Sequence, residues 1–202
     1  MLKLAVFVSG RGSNLKAILN SPNLKELIDV KAVISNKIDC PAFKIAREYS
    51  IGTYCLGKDD NCIAYNELSN FLVSLEIDLV VLAGFLKMIP SDMVRTFKNR
   101  IINIHPALLP SFGGEGMYGM NVHKAVFNSS AQVSGASVHF VDESYDTGKI
   151  IAQKCVDISD VETPEEIAGR VLIVEHKLLP YVLEKFARNK IIIGKNRIRI
   201  IN

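Results

Sequence analysis

Two polar residues, Asn103 and His105, end an apolar run in the stretch IINIHPALLPSF, and Pro106 follows them directly. Side chains two residues apart on a β-strand project from the same face, so an amide and an imidazole would stand side by side. Such a pair can stabilise a developing oxyanion and carry a proton, which is acid–base chemistry at a carbonyl. A strand-end histidine whose ring is simply hydrogen-bonded to backbone groups is the structural alternative.

Asp146 is the carboxylate that this chemistry would need, and it lies later in the chain in the segment ESYDTG. An aspartate two residues before a glycine is typical of a turn. Alternatively, folding brings the carboxylate to His105, where it would favour the imidazolium and raise the pKa of His105. The residues by themselves leave both interpretations open.

A glycine-containing loop, SGRGSNL at 9–15, follows the first apolar run and precedes a helical pattern. Gly10 and Gly12 permit a tight turn, and Ser13 or Asn14 can cap the next helix, whose amino end favours an anion. Leu15 stands where a dinucleotide-binding loop has its third glycine, and no Gly-Lys-Ser/Thr of a nucleotide-binding P-loop follows. The loop therefore predicts a site for a single phosphate, with an ordinary strand-to-helix turn as the alternative.

Apolar runs and helical patterns alternate through the first half of the chain. Strand-like runs cover 2–8, 30–36, 78–84 and 100–105, and helical spacing covers 14–20, 41–49, 65–76 and 91–99, the last with Ser91 as its predicted cap. This alternation predicts an α/β fold with a doubly wound, mostly parallel open sheet. Ligands of such sheets bind beyond the carboxyl ends of the strands, where Gly, Asn and His collect in this sequence.

The second half has a different pattern. Apolar segments at 134–143 and 149–158 flank the turn SYDTG and predict a strand pair. A long C-terminal helix is predicted over 163–188, with Thr163 as its cap and Pro164 at its first position. Residues 190–201 predict a terminal β-hairpin.

Composition limits the classes of protein that fit. The chain has 202 residues, 49% of them hydrophobic, with a net charge of +3, which predicts one domain over 1–202. So mild a charge gives no reason to expect a nucleic-acid or membrane partner. The apolar run at 4–8 is too short for a signal peptide or a membrane span, so a cytoplasmic protein is expected.

Cysteines and histidines are scattered. We predict that Cys40, Cys55, Cys62 and Cys155 are reduced, buried and inert rather than part of a disulfide frame or metal site. The histidines at 105, 123, 139 and 176 lack the local spacing of metal ligands, so no metal site is predicted.

Five motifs, SGRGSNL, VVLAGFLKMI, INIHPALLPSF, SVHFVDESYDTG and EHKLLP, come in the order found in the glycinamide ribonucleotide formyltransferases. The chain resembles this folate-dependent formyltransferase family over about residues 2–190. The resemblance implies a Rossmann-like formyltransferase fold and transfer of the formyl group of 10-formyltetrahydrofolate, a co-substrate, to the amine of glycinamide ribonucleotide in purine biosynthesis. It implies small-molecule partners without metal or nucleic acid, and it leaves a homodimer open.

The resemblance also assigns roles to residues. Asn103 and protonated His105 would stabilise the oxyanion, and Asp146 would keep His105 charged and help to move the proton of the amine. The ribonucleotide would contact Gly12, Ser13, Asn14 and Glu175. The folate would contact Leu86, Lys87, Met88, Ile89, Asn103 and Asp142.

Two features depart from the family pattern. The segment GGEGMYGMNVH, 113–123, reads as a longer loop with four glycines, and Cys62 stands near the place where some relatives carry a folate-contacting arginine. The Asn-x-His-Pro stretch is shared with formyltetrahydrofolate deformylases and methionyl-tRNA formyltransferases, which are the alternatives, as is a nucleotide-binding module without catalysis. Those two enzymes would carry an added regulatory or RNA-binding domain, for which we expect no room in this chain.

Overall fold

The computed structural model describes residues 1–201, which form two compact units, Met1–Asn103 and the part from Ile104 onward. The first unit is a parallel sheet with its helices. Its strands are β1 (Leu2–Val8), β2 (Ile28–Ser35), β3 (Gly52–Cys55), β4 (Leu79–Leu82) and β5 (Ile101–His105), the last of which runs across the boundary of the unit. Its helices are α1 (Ser13–Leu19), α2 (Ala42–Glu48), α3 (Leu68–Ser74) and α4 (Ser91–Thr96), with a short 3₁₀ helix at Pro22–Leu24.

All five strands pair in parallel in the order β3-β2-β1-β4-β5. The apolar runs account for this arrangement, because β4 is buried along its whole length and β1 is fully buried from Leu4 to Val8. Burying a large aliphatic or aromatic side chain contributes about 1.5–3 kcal/mol, so these two central strands dominate the core of the unit. The order reverses between β1 and β4, which is the doubly wound arrangement that the sequence predicted.

The second unit has a different architecture. An antiparallel pair, β6 (Val133–Phe140) and β7 (Ile150–Asp157), packs against the long helix α6 (Pro164–Ala187), which also contacts α5 (Met120–Asn128). A hairpin of β8 (Ile191–Ile193) and β9 (Ile198–Ile200) follows. The strand pair, the long C-terminal helix and the terminal hairpin are confirmed.

The amino end of α6 forms as its sequence predicts. The Thr163 hydroxyl accepts the Glu166 N–H at 3.3 Å, and Pro164 occupies the first turn, where the absent N–H of proline has no consequence. The buried face of the helix includes Ile167, Val171, Val174, Leu178 and Leu179. This apolar stripe recurs at intervals of three and four residues, which holds α6 on its neighbours.

Three details differ from the sequence predictions. Pro90, not Ser91, is the residue before α4, and Gly12 precedes α1, so neither Ser91 nor the Ser13–Asn14 pair caps its helix through a side chain. The predicted loop 113–123 ends early, because α5 begins at Met120, directly after Gly119. Strand β3 had no sequence prediction, because GTYC is short and half-buried.

The prediction of four reduced, buried and inert cysteines is wrong. Cys55 and Cys62 form a disulfide with their Cα atoms 4.5 Å apart, and Cys155 is exposed, so Cys40 alone is both a thiol and buried. Backbone geometry brings the pair together: the Ile63 N–H donates to the Cys55 carbonyl at 2.7 Å and the Gly57 N–H donates to the Ile63 carbonyl at 3.0 Å. These bonds fold the chain back on the end of β3, which sequence spacing did not indicate.

Candidate functional site

His105, the last residue of β5, has both ring nitrogens engaged in the second unit. Its ring is buried, with 3% exposure, and Nε2 lies 2.9 Å from the carbonyl oxygen of Phe112. A carbonyl only accepts, so Nε2 carries the proton of the neutral ring. Nδ1 lies 3.5 Å from Oδ2 of Asp146. The nitrogen that gains or loses the titrating proton is therefore the one that faces the carboxylate.

A second histidine faces the same carboxylate. His139 Nε2 lies 3.4 Å from Asp146 Oδ1, and His139 Nδ1 donates to the carbonyl of Phe140 at 2.8 Å. The Gly114 N–H also donates to Asp146 Oδ2, at 3.0 Å. The structure thus brings His105 and Asp146 together, as predicted, and adds His139. We call these three residues the His–Asp–His cluster.

The sequence offered little sign that His139 belongs to this cluster. It is one of four scattered histidines, and the pairing of β6 with β7 shifts register between Val138 and His139. Such a bulge changes the direction of the side chains beside it. The side chain of His139 therefore points to Asp146 because the strand is irregular there, which residue spacing does not reveal.

Two residues at the His–Asp–His cluster, Asp146 itself and the neighbouring Phe112, have left-handed backbones. Phe112 has φ of 55° and Asp146 has φ of 56°. For an L-residue this conformation costs roughly 1–2 kcal/mol, and it is least unfavourable for Asn and Asp. Gly113 fits between Leu109 and Asp146, because a Cβ there would lie 2.5 Å from Leu109 Cδ2 and 3.2 Å from Asp146 Cβ. Asp146 is thus a turn residue and a partner of His105 at once.

Burial decides the charge of His105. Burial and the charge of His139 lower the pKa of His105, and together they outweigh the charge of Asp146 and the Phe112 carbonyl, which raise it, so the net pKa lies below the ordinary value. The contribution of Asp146 has the expected sign but is smaller than the effect of burial, and the expectation that Asp146 keeps His105 protonated stays a prediction. Burial raises the pKa of Asp146, but the bonds from His139 and Gly114 and the charge of His105 lower it by more in total.

Asn103 stands two residues before His105 on β5 and is half-buried. It is paired with Leu82 of β4 at the edge of the first unit. The predicted strand-end spacing of Asn103 and His105 is confirmed, since both belong to one strand.

The carboxyl ends of β1 and β4 are tied together in the first unit. The Ser9 N–H donates to the Gly84 carbonyl at 3.1 Å, and Ser9 Oγ accepts the Leu86 N–H at 3.1 Å while donating to Asn36 Oδ1 at 2.7 Å. This network lies where the strand order reverses, which is the usual place of a ligand crevice in open α/β sheets. It connects the glycine-containing loop with the segment that follows β4.

The glycine-containing loop enters α1 through Gly12, whose φ is 75°. A Cβ at Gly12 would lie 2.7 Å from the Cβ of Ala42, so glycine is required there by the packing of α2 as well as by the turn. Ser13 is half-buried and Asn14 is buried. A larger residue at position 12 would therefore disturb the fold before it could disturb any ligand.

Of the other residues predicted to contact substrates, some are exposed and some are buried. Leu86, Lys87 and Met88 are exposed after β4, whereas Ile89 is buried. In the second unit, Glu175 is buried on α6. Asp142 is exposed, and its carboxylate shapes the turn by accepting the Ser144 N–H and the Thr147 hydroxyl.

Residues 1–201 hold neither a metal-binding cluster nor a membrane-spanning helix. That part of the chain contains no group of three or more His, Cys, Asp or Glu residues arranged to hold a metal ion. None of its helices is both long and apolar enough to cross a bilayer.

Comparison with known proteins gives one consistent result. A profile described as "Formyl transferase" matches residues 2–183. Phosphoribosylglycinamide formyltransferases described as chloroplastic are 43% identical in Vigna unguiculata and 45% identical in Arabidopsis thaliana, over 98% and 94% of this chain. The chain spans 65% and 66% of the lengths of those two relatives.

Solved structures agree. A phosphoribosylglycinamide formyltransferase from Anaplasma phagocytophilum has a TM-score of 0.89 at 31% identity, covering 100% of this chain and 95% of that one. A formyltetrahydrofolate deformylase from Pseudomonas syringae has a TM-score of 0.86 at 26% identity, covering 100% of this chain and 67% of that one. The Rossmann-like formyltransferase fold predicted from the sequence is confirmed.

The buried histidines predict that stability falls in mild acid. Burial lowers the pKa of His105 and, together with the charge of His105, that of His123, so both histidines take up a proton more readily when unfolded. Their contribution is complete above pH about 6.5 and is lost as the pH falls below it. We expect the free energy of unfolding in urea to be lower at pH 5.5 than at pH 7.5 by on the order of 1 kcal/mol.

His123 provides the control for this expectation. Its Nδ1 is buried and finds no hydrogen-bond partner among residues 1–201, so His123→Leu removes a titrating group without breaking a bond of that atom. The variant should show a smaller loss between the two pH values. An equal loss in both proteins would contradict the assignment.

Proposed function

Because the chain belongs to the formyl transferase family, we propose that it transfers the formyl group of 10-formyltetrahydrofolate to the amine of glycinamide ribonucleotide, a step of purine biosynthesis. The curated relatives named in the comparison support this acceptor, since both are phosphoribosylglycinamide formyltransferases. The observation that carries the proposal is the buried His105 ring, whose Nδ1 faces the Asp146 carboxylate at 3.5 Å.

In the proposed reaction, the amine nitrogen of the ribonucleotide attacks the formyl carbon and forms a tetrahedral intermediate. The former carbonyl oxygen becomes an oxyanion, and the attacking nitrogen becomes positively charged. The Asn103 amide donates a hydrogen bond to that oxygen. Preorganised donors of this kind contribute about 2.7–4 kcal/mol each to transition-state stabilisation.

His105 supplies a positive charge near the oxyanion after it has taken up a proton. The Phe112 carbonyl holds the proton of the neutral ring on Nε2, so Nδ1 is the basic nitrogen. A proton from the attacking nitrogen moves by way of Asp146 to Nδ1, and the positive charge of the resulting imidazolium stabilises the oxyanion. When the bond from the formyl carbon to N10 of the folate breaks, that proton passes to the leaving nitrogen.

A lowered pKa suits this sequence of events. A His105 that is neutral at rest can accept a proton, and the adjacent Asp146 carboxylate stabilises the imidazolium once it forms. A permanently protonated ring would serve only as a donor. The proposal therefore assigns to His105 both proton uptake and oxyanion stabilisation, with no metal and no covalent enzyme intermediate.

Substrate contacts are proposed by position. Gly12, Ser13 and Asn14 would bind the ribonucleotide phosphate through backbone and side-chain donors, and Glu175 would contact the same substrate. The folate would lie against Leu86, Lys87, Met88 and Ile89 and against Asn103 and Asp142. Leu86 and Met88 are 47% and 49% exposed, so both side chains are accessible to a ligand.

A deformylase is the second candidate, favoured by the solved deformylase structure that shares the fold. In that reaction water replaces the amine, and the same cluster would act on it. The higher identity to formyltransferases favours transfer over hydrolysis.

Further proposals concern the setting of the enzyme. Its partners would be small molecules, without nucleic acid, and residues 1–202 would act as one functional domain. A cytoplasmic location and a homodimer stay predictions, and the two plant relatives are described as chloroplastic. Fractionation of the source cells and sedimentation of the purified chain would test these two predictions.

The first prediction of the proposal is turnover that depends on the acceptor. Spectroscopic measurement of folate deformylation should show rapid reaction with glycinamide ribonucleotide and a rate at least a hundredfold lower without it, the minimum contribution typical of one positioned acid–base group. The His105→Ala protein supplies the background. Full turnover in water alone would establish the deformylase instead.

A second prediction concerns the phosphate. Ser13→Ala should raise the KM for the ribonucleotide several-fold, through loss of a hydrogen bond to a charged group worth about 1.5–3 kcal/mol at most, and leave the KM for the folate unchanged. Gly12 is unsuitable for this test because of its contact with Ala42. An equal change in both KM values would argue against a phosphate at this loop.

A third prediction concerns Asp146→Asn, which keeps the shape and removes the charge. Turnover should fall about a hundredfold or more, and ribonucleotide binding should change little. The pKa of His105, measured by NMR titration, should fall further, because the charge that raises it is gone. Glu162→Gln, a matched charge change at an exposed site, should alter neither quantity. An unmoved His105 titration would refute the role of Asp146.

A further inference from the structure

The turn after β5, residues 106–114, provides two backbone groups to the His–Asp–His cluster. They are the Phe112 carbonyl on His105 and the Gly114 N–H on Asp146. Pro106 and Pro110 have no N–H, so the turn has fewer donors with which to hold its own shape. Phe112 also has the positive φ that bulky residues avoid. Groups outside the turn must therefore fix its path.

Ser137 on β6 provides the first of these groups. Its side chain is completely buried, and Oγ donates to the Ala107 carbonyl at 2.7 Å while accepting the Leu109 N–H at 3.0 Å. The same oxygen accepts Nε2 of Gln153 at 2.8 Å. The one donor and both acceptor positions of the hydroxyl are thus used, two of them on the start of the turn and one on Gln153.

Gln153 on β7 completes the arrangement. It is the strand partner of Ser137, and its Nε2 also donates to the Leu109 carbonyl at 2.8 Å. Both the N–H and the carbonyl of Leu109 are therefore bonded to this pair of side chains. Gln153 is exposed, yet its amide nitrogen donates both to the Leu109 carbonyl of the turn and to Ser137 Oγ.

We propose that Ser137 and Gln153 are positioning residues for formyl transfer. Together they fix Ala107 and Leu109, and through the short turn they set the Phe112 carbonyl that orients His105 and the Gly114 N–H that orients Asp146. They touch no reacting atom. This inference rests on the proposed function and deepens it, because it adds to the catalytic residues the pair that holds them in place.

The test uses Gln153→Leu in the chain of residues 1–202. Leucine has nearly the same size but no donors, so it removes both hydrogen bonds of the Gln153 amide and keeps the bulk of the side chain. We expect kcat to fall about tenfold, the KM values for ribonucleotide and folate to stay within about twofold, and exchange of the Gly114 amide hydrogen to become about tenfold faster. Lys154→Ala, at the next exposed position of β7, should change none of these.

Ser137→Ala serves as the second variant. If the two side chains act as one unit, the Ser137→Ala, Gln153→Leu double variant should lose no more kcat than the more damaging single variant. An unchanged kcat in Gln153→Leu, or unchanged exchange at Gly114, would overturn the proposal. A wild-type protein that transfers no formyl group would refute the proposed function instead, and exchange at Gly114 would still report whether Gln153 holds the turn.

Discussion

The arrangement of the second unit depends on how one carboxylate is partnered. Burying a charge without partners costs several kcal/mol, and a carboxylate tolerates burial when hydrogen-bond donors and opposite charges surround it. Asp146 accepts the Gly114 N–H, and the rings of His105 and His139 lie 3.5 and 3.4 Å from its two oxygens. Each ring has its far nitrogen at a backbone carbonyl, and an imidazolium at His105 would place a donor and a positive charge against the carboxylate. The turn after β5, the bulge in β6 and the left-handed backbone of Asp146 all serve this one contact.

The balance of charge at His105 shows where reasoning from residues reaches its limit. An aspartate beside a histidine raises its pKa, and that contribution is present. The sequence carries no measure of how much solvent the fold removes from the ring, and burial is the larger effect here. The direction of a net pKa shift depends on the balance of burial, nearby charges and hydrogen bonds, and the sizes of these effects depend on three-dimensional packing. In the proposed mechanism, this lowered pKa makes His105 a proton acceptor that becomes charged during the reaction.

Regular features of the fold could be predicted, and irregular ones could not. The strand period placed Asn103 and His105 on one strand, and Thr163 with Pro164 fixed the start of α6, because these signals are local. His139 was missed because a register shift directs it. Ser91 was assigned the wrong role because the carbonyl of Pro90, one residue earlier, accepts the first hydrogen bond of α4, from the Val94 N–H at 3.1 Å. The Cys55–Cys62 bond was missed because backbone bonds to Ile63, rather than residue spacing, bring the sulfurs together.

Whether the Cys55–Cys62 disulfide persists depends on how reducing the surrounding compartment is. Glutathione and thioredoxin keep most thiols reduced in a cytosol, whereas oxidising compartments preserve such bonds. In a reducing environment, residues 56–62 would be held near the end of β3 by hydrogen bonds such as those of Gly57 and Ile63, without the covalent link. The same polypeptide would therefore present a covalently closed ring at one edge strand in one compartment and an open segment in another. The host chosen for producing the protein, and the reductant in its buffer, decide which of these two molecules is studied.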